Sequence, residues 1–348
     1  MVFRRRWIAA IAAACVLVGW IRPARAASWA WTADELQKVR ALEKQVTLDR
    51  KSGCHLLTAG RFDVRTDISA RFAAETSLFM DTFYDGFCTF VFDRLGVPVP
   101  PAPKRHVVCV VRDASGRVRT PPARKTSDRI HFLKKPTVVV YKTPTQYRSH
   151  FNDGSGGVFV YRRDRKGRWV RFDIHTSALT QRQRHFKFFQ HATLMHEGTH
   201  AMLRALAGKT TIPLWFDEGV AQLVECSSPR GVLRGQVNPV SGWWWRRQAL
   251  KRPADGWYAH APSLTKLLGV KAWNTDKMGY QTRYRYALAW NFVGFLFSSD
   301  EGKRALRGML DRLARGENPL LTERDCWAVE PSWHRFLSQS LKPRRPGR

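Results

Sequence analysis

The sequence predicts an α+β fold in which a small mixed sheet precedes a long helix bearing two histidines and a mainly helical part follows. Three observations predict it. Short β-branched runs fall ahead of Phe186, His196-Glu197-Gly198-Thr199-His200 sits inside a stretch of helical period, and beyond it the apolar positions keep helical spacing to Leu341.

The chain opens with Arg4, Arg5 and Arg6, an apolar run from Trp7 to Trp20, and Ala24-Arg25-Ala26, the layout of an export leader with a small-residue cleavage site. The run is short for a membrane span, so cleavage is expected to leave no transmembrane anchor. Residues 1–26 are read as a signal peptide, 27–341 as one domain with a sheet-bearing part (27–185) and a mainly helical part (186–341), and 342–348 as a basic disordered tail. The expected location is outside the cytoplasm, periplasmic or extracellular. Within the domain, Thr32-Ala33-Asp34-Glu35 is a capping box ahead of Leu36, Val39 and Leu42 at helical spacing. Phe62 and Val64 alternate with charged neighbours as a half-buried strand does. A long helix is expected from about Ile68 to Leu95, ended by Gly96, with Phe72, Phe79, Phe83, Phe87 and Phe90 as core.

His106 to Val111 and Thr137 to Tyr141 read as strands, and the basic, turn-rich segment between them as a mobile loop. Gly157 to Tyr161 and Arg168 to Ile174 flank a turn and predict a hairpin. Phe186 to Ala207 is the histidine-bearing helix, with Gly208 as its stop. Later helices are marked by Val220, Leu223 and Val224, by Tyr286 to Phe297, by Asp300 to Ala314, and by Trp333, Phe336, Leu337 and Leu341. Trp243-Trp244-Trp245 is expected to pack rather than to line a cleft.

A net charge of +31 includes the leader's five arginines, which leaves +26 on the rest of the chain. Such a field attracts anionic polymers. No nucleic-acid-binding signature accompanies it, so specific DNA or RNA recognition is not expected. Five cysteines follow the leader, enough for one or two bridges and without zinc-finger spacing.

The chemistry concentrates between residues 196 and 218. Histidines four apart on a helix share a face and converge on one ion, so His196 and His200 form a local pair of metal ligands. Glu197 stands beside that ion, where it can take a proton from a water molecule. A third ligand must come from elsewhere. Glu218, eighteen positions after His200 at the start of an apolar-periodic segment, offers the carboxylate for it. Glu225 lies about two turns further along the same face, where it could support a ligand from behind; an exposed acid is the preferred reading. The remaining histidines, His191 among them, lack ligand spacing and are assigned to packing or surface.

HExxH followed by Trp215-Phe216-Asp217-Glu218-Gly219-Val220-Ala221 resembles the gluzincin-type zinc metallopeptidases, which carry a glutamate ligand in a W-x-x-E-G-x-A context. Over about residues 55–340 the chain also resembles an uncharacterised family of exported bacterial gluzincin-like domains, through the H-E-G-T-H helix and the Y-A-x-x-W pattern at Tyr286-Ala287-Leu288-Ala289-Trp290. The resemblance implies a zincin-like fold and one zinc ion on His196, His200 and Glu218, with Glu197 as general base. It also implies a tyrosine that stabilises an oxyanion, assigned to Tyr286 with Tyr284 and Tyr280 as alternatives. In zincins an edge strand pairs with the peptide substrate, and the 157–174 hairpin is the candidate. The aminopeptidase motif G-x-M-E-N is absent. The expectation is an exported zinc metallopeptidase acting on peptides or proteins. The alternative is a catalytically inactive zincin-like envelope protein that binds anionic polymers through its basic surface.

Overall fold

Thr32 caps the first helix, α1 (Ala33–Glu43), through the predicted box: its hydroxyl accepts from the Glu35 backbone N–H at 3.2 Å, and the Glu35 carboxylate accepts from the Thr32 N–H at 2.7 Å. The computed structural model describes residues 31–94, 96, 111–112, 118–119, 129–130, 132, 134–151, 156–163, 169–177, 186–208, 210–237, 249–250, 263–269, 280–315, 317, 321 and 323–341. The expected leader, the basic tail and Trp243–Trp245 lie outside these residues.

A six-stranded mixed sheet follows α1: β1 (Thr47–Asp49), β2 (Cys54–Leu57), β3 (Asp63–Thr66), β6 (Thr137–Tyr141), β7 (Gly157–Arg163) and β8 (Trp169–Ser177), in the spatial order β1-β2-β3-β6-β8-β7. The β3–β6 and β6–β8 pairs are parallel and the others antiparallel. Strand alternation decides the buried face. Val64, Val138, Val140, Phe172 and Ile174 point into the core, while Arg65, Val139, Arg171 and Asp173 occupy the opposite face. The predicted 157–174 hairpin is β7 and β8, and β7 is an edge of the sheet.

Helix α2 (Ala70–Cys88), capped by Ser69, continues as a π-helical turn over Thr89–Arg94. Phe79, Phe83, Phe87 and Phe90 are buried as expected, and Phe72 is partly buried. Of the expected strand from His106 to Val111, the described part is Val111, which pairs in a separate two-stranded sheet of β4 (Val111–Arg112) and β5 (Val118–Arg119). The segment read as a mobile loop is anchored near its end: Ile130 is buried, and its N–H and C=O both bond the Tyr84 hydroxyl at 2.8 Å. Besides Ile130, residues 112, 118–119, 129, 132 and 134–136 of that segment are described, and the rest lies outside the described residues. α3 (Pro144–His150), with Thr143 in a second capping box, packs against β6 and β8.

The second half is helical. α4 (Phe186–Ala207) and α5 (Leu214–Cys226) lie against each other, and α6 (Pro229–Val232) follows. Arg230 of α6 grips Glu35 of α1 with two bonds, 2.7 and 3.0 Å, tying the first helix to the segment beyond α5. Then come α7 (Leu264–Leu268), α8 (Tyr280–Ser298), α9 (Asp300–Ala314) and α10 (Glu323–Leu341). Trp215, Phe292 and Trp333 join α5, α8 and α10 in one aromatic cluster, with Trp333 Nε1–H donating to Asn291 at 3.0 Å. No described helix is long and apolar enough to cross a membrane. Cys54, Cys88 and Cys226 are free thiols, so none of them forms the bridge that the composition allowed; Cys109 and the Cys326 side chain lie outside the described part.

Candidate metal centre

Helix α4 spans the predicted residues and stops where Gly208 takes φ +57°, a left-handed conformation that suits glycine. Its buried residues Leu194, Met195, Met202 and Leu203 hold it against the core, which turns His196 and His200 toward α5. Gly198, between them, lies on the opposite side. A Cβ there would come within 2.8 Å of Phe83 Cε1 and 3.1 Å of Met80 Cε, so this glycine serves the contact with α2.

Helix α5 begins after Pro213 and is anchored by the buried Trp215 and Phe216, which leaves Asp217, Glu218 and Glu225 beside α4. Gly219 sets the approach of α8, because a Cβ there would lie 2.6 Å from Val293 Cγ2 and 2.8 Å from the Ala289 carbonyl oxygen. That close crossing carries Tyr286 to Glu218. The W-x-x-E-G pattern is thus physical at each position: an apolar anchor, a carboxylate, and room for the neighbouring helix.

Three atoms meet between the two helices. His196 Nε2 and His200 Nε2 are 3.2 Å apart, and Glu218 Oε2 lies 3.5 Å from the first and 3.7 Å from the second. These form the one such ligand group among the described residues. Tetrahedral zinc with bonds of about 2.0–2.1 Å separates its ligand atoms by about 3.3–3.4 Å, close to the triangle found. The other nitrogen of each ring faces a carboxylate, His196 Nδ1 to Glu225 Oε2 at 3.1 Å and His200 Nδ1 to Asp217 Oδ1 at 2.8 Å.

A ring that donates through Nδ1–H presents a bare lone pair at Nε2. With both rings in that form, two imidazole lone pairs and one carboxylate oxygen converge. Glu218 Oε2 is itself buried without a hydrogen-bond partner. Only a cation or added protons relieve that arrangement, and the donor set of two nitrogens and one oxygen fits zinc.

The proton affinities tell the same story. Burial works against protonation of both histidines, yet their carboxylate neighbours prevail. His196 is raised well above the usual histidine range by Glu218 and Glu225, and His200 is raised to about 9 by Asp217 and Glu218. Glu197 is buried, and loss of solvation pushes its carboxyl up, against the pull of the two histidines. The Tyr286 phenol is raised by burial first and then by the Glu218 charge, so it stays protonated at neutral pH.

The sheet completes the surroundings. A Cβ at Gly157, the first residue of β7, would sit 2.5 Å from Thr193 Cγ2 and 3.2 Å from Glu197 Cγ, so the edge strand passes directly beside Glu197. Further along β7, the Arg204 guanidinium of α4 lies 4.7 Å from the centre of the Tyr161 ring and 3.9 Å from Asp217 Oδ2. The edge strand, the metal helix and the partner of His200 thus touch in one chain of contacts.

All five residues expected at the site, His196, Glu197, His200, Glu218 and Tyr286, are brought together. Of the alternative tyrosines, Tyr284 is buried, and the Tyr280 side chain is outside the described part. Glu225 corrects the preferred sequence reading, since it is the hydrogen-bond partner of His196, the other of the two roles open to it, and not an exposed acid. Asp217 was not singled out at all, although a carboxylate next to a candidate ligand was a usable signal. His191 is a packing residue, stacked on Phe79 at 4.3 Å. Comparison with protein-family models, with curated proteins and with solved structures returns no match.

Proposed function

We propose that this chain is an exported zinc metallopeptidase with a zincin-like fold, its single zinc ion held by His196, His200 and Glu218. The observation that carries the reading is the convergence of three acceptor atoms, each histidine backed by its own carboxylate, with a buried glutamate between the two ligands in sequence. Zinc in that position supplies Lewis acidity toward a carbonyl and lowers the pKa of water from about 15.7 toward 7.

The protein's own groups do the rest. Glu197, with its raised proton affinity, accepts the proton of the attacking water and returns it to the departing amine. Tyr286, still protonated, donates a hydrogen bond to the carbonyl oxygen as negative charge grows on it. Strand β7 aligns an extended peptide past Glu197 by backbone pairing. The export assignment rests on the sequence of residues 1–26.

The deciding experiment is elemental analysis beside peptide turnover for the parent, Glu197→Gln and His196→Ala. The expected results are one zinc per chain in the parent and in Glu197→Gln, turnover in the parent alone, and no zinc in His196→Ala. A Glu197→Gln protein as active as the parent refutes the mechanism. The net charge of +26 on the chain beyond the leader favours a second reading, an inactive envelope protein holding an anionic polymer. That reading requires salt-sensitive polymer binding that persists in His196→Ala, with no turnover in the parent.

A further inference from the structure

We propose that the edge strand β7 selects extended peptides that carry acidic side chains about five residues N-terminal to the cleaved bond. This rests on the metallopeptidase reading for the location of cleavage and on the sheet for the selectivity. Strand β7 runs from Gly157, beside Glu197, to Arg162 and Arg163 at its far end. No described strand pairs with its outer side.

Five steps along a strand cover about 17 Å, so a peptide residue lying opposite Arg162 is about five positions from one opposite Gly157. A peptide that pairs antiparallel, the more stable of the two pairings, runs from the Arg162 end toward Glu197. Its acidic block then precedes the cleaved bond.

The charge at the far end is unbalanced. Arg162 stands directly opposite Arg171 of β8 on the same face of the sheet, a like-charge cross-strand pair that opposes strand pairing. Arg171 is answered by Asp173, whose Oδ2 lies 2.6 Å from its Nε. Arg162 is exposed, and no described carboxylate pairs with it. At the near end the sign reverses, since Asp217, Glu218, Glu225 and Glu197 surround the two histidines. A peptide with acids beside Arg162 and none at the cleaved bond matches both ends of this gradient. The wider positive field of the chain speeds its encounter without setting its register.

The test uses zinc-loaded Glu197→Gln protein, so that binding is read without turnover, and fluorescein-labelled twelve-residue peptides with one alanine-rich core. A Glu-Glu-Asp block is placed on the N-terminal side, on the C-terminal side, or replaced by serines, and affinity is measured by anisotropy at low salt. The N-terminal block is expected to bind about five- to tenfold tighter than serine, the gain that one or two exposed ion pairs provide. In Arg162→Glu that preference is expected to vanish. In Arg304→Glu, which makes the same change of net charge at an exposed position of α9, it is expected to persist. Equal binding of all three peptides overturns the inference, as does a preference for the C-terminal block or one lost equally in both charge variants. Failure of the metallopeptidase reading shows separately, as absence of turnover of every peptide by the zinc-loaded parent.

Discussion

Removing the carboxylates behind the two histidines separates metal binding from fold stability. In Asp217→Ala the His200 ring loses its 2.8 Å partner, and in Glu225→Ala the His196 ring loses its 3.1 Å partner. Loss of such a partner lowers metal affinity about 10–100-fold, or about 1.4–2.7 kcal/mol, because the ring loses both orientation and basicity. The two variants differ in what else they disturb. Asp217 also lies 3.9 Å from the Arg204 guanidinium, whose side chain is only 11% exposed, so its removal takes away a nearby countercharge. The zinc-free Asp217→Ala protein is therefore expected to lose about 1–3 kcal/mol of stability. Glu225 is more exposed, 22%, and stands among other carboxylates, so zinc-free Glu225→Ala is expected to stay within about 1 kcal/mol of the parent. Competition with a chromophoric zinc chelator measures the first quantity, and urea unfolding after chelation the second. Unchanged zinc affinity in either variant, or equal destabilisation by both, refutes the assignment of these carboxylates.

Three further outcomes follow from the geometry. Gly157→Ala places a methyl 2.5 Å from Thr193 Cγ2, where about 3.5–4.0 Å is normal, so β7 must shift by about 1 Å. Turnover should fall about 100-fold with zinc content unchanged, and a variant with full turnover would show that β7 does not position substrate. Gly219→Ala forces α5 and α8 apart and is expected to cost about 1–3 kcal/mol in urea unfolding, together with loss of turnover as Tyr286 leaves Glu218. The Arg230 fork holds the Glu35 carboxyl down to about 2 from its usual 4.5. A carboxyl lowered on folding stabilises fully above its unfolded value, and the contribution is lost as pH falls through the folded one. After screening at this partly exposed pair it amounts to about 1–2 kcal/mol, fading between about pH 4.5 and 2. Arg230→Ala should remove that part of the pH dependence and leave stability above about pH 5 lower by the same amount.

Periodicity located helix α4, its stop at Gly208 and the hairpin that became β7 and β8, and the four-residue spacing of His196 and His200 put the two rings on one helical face. These are local facts, decided by spacing along one helix or across one turn, and so they were legible in the sequence. Glu218 is offered as a third ligand by its place at the start of an apolar-periodic segment and again by the family resemblance, whereas a role for Tyr286 rests on the resemblance alone, because nothing local joins helices separated by loops. The roles of Asp217 and Glu225 were decided only by tertiary structure. Both lie on α5, and which of its acids reaches a histidine depends on how α5 rotates against α4, which the buried Trp215 and Phe216 and the glycine crossing at Gly219 fix. The passage of the edge strand beside Glu197 is likewise a matter of packing. Alternation shows that Gly157 begins a strand, but only the close contact with Thr193 puts that strand next to the Glu197 carboxylate.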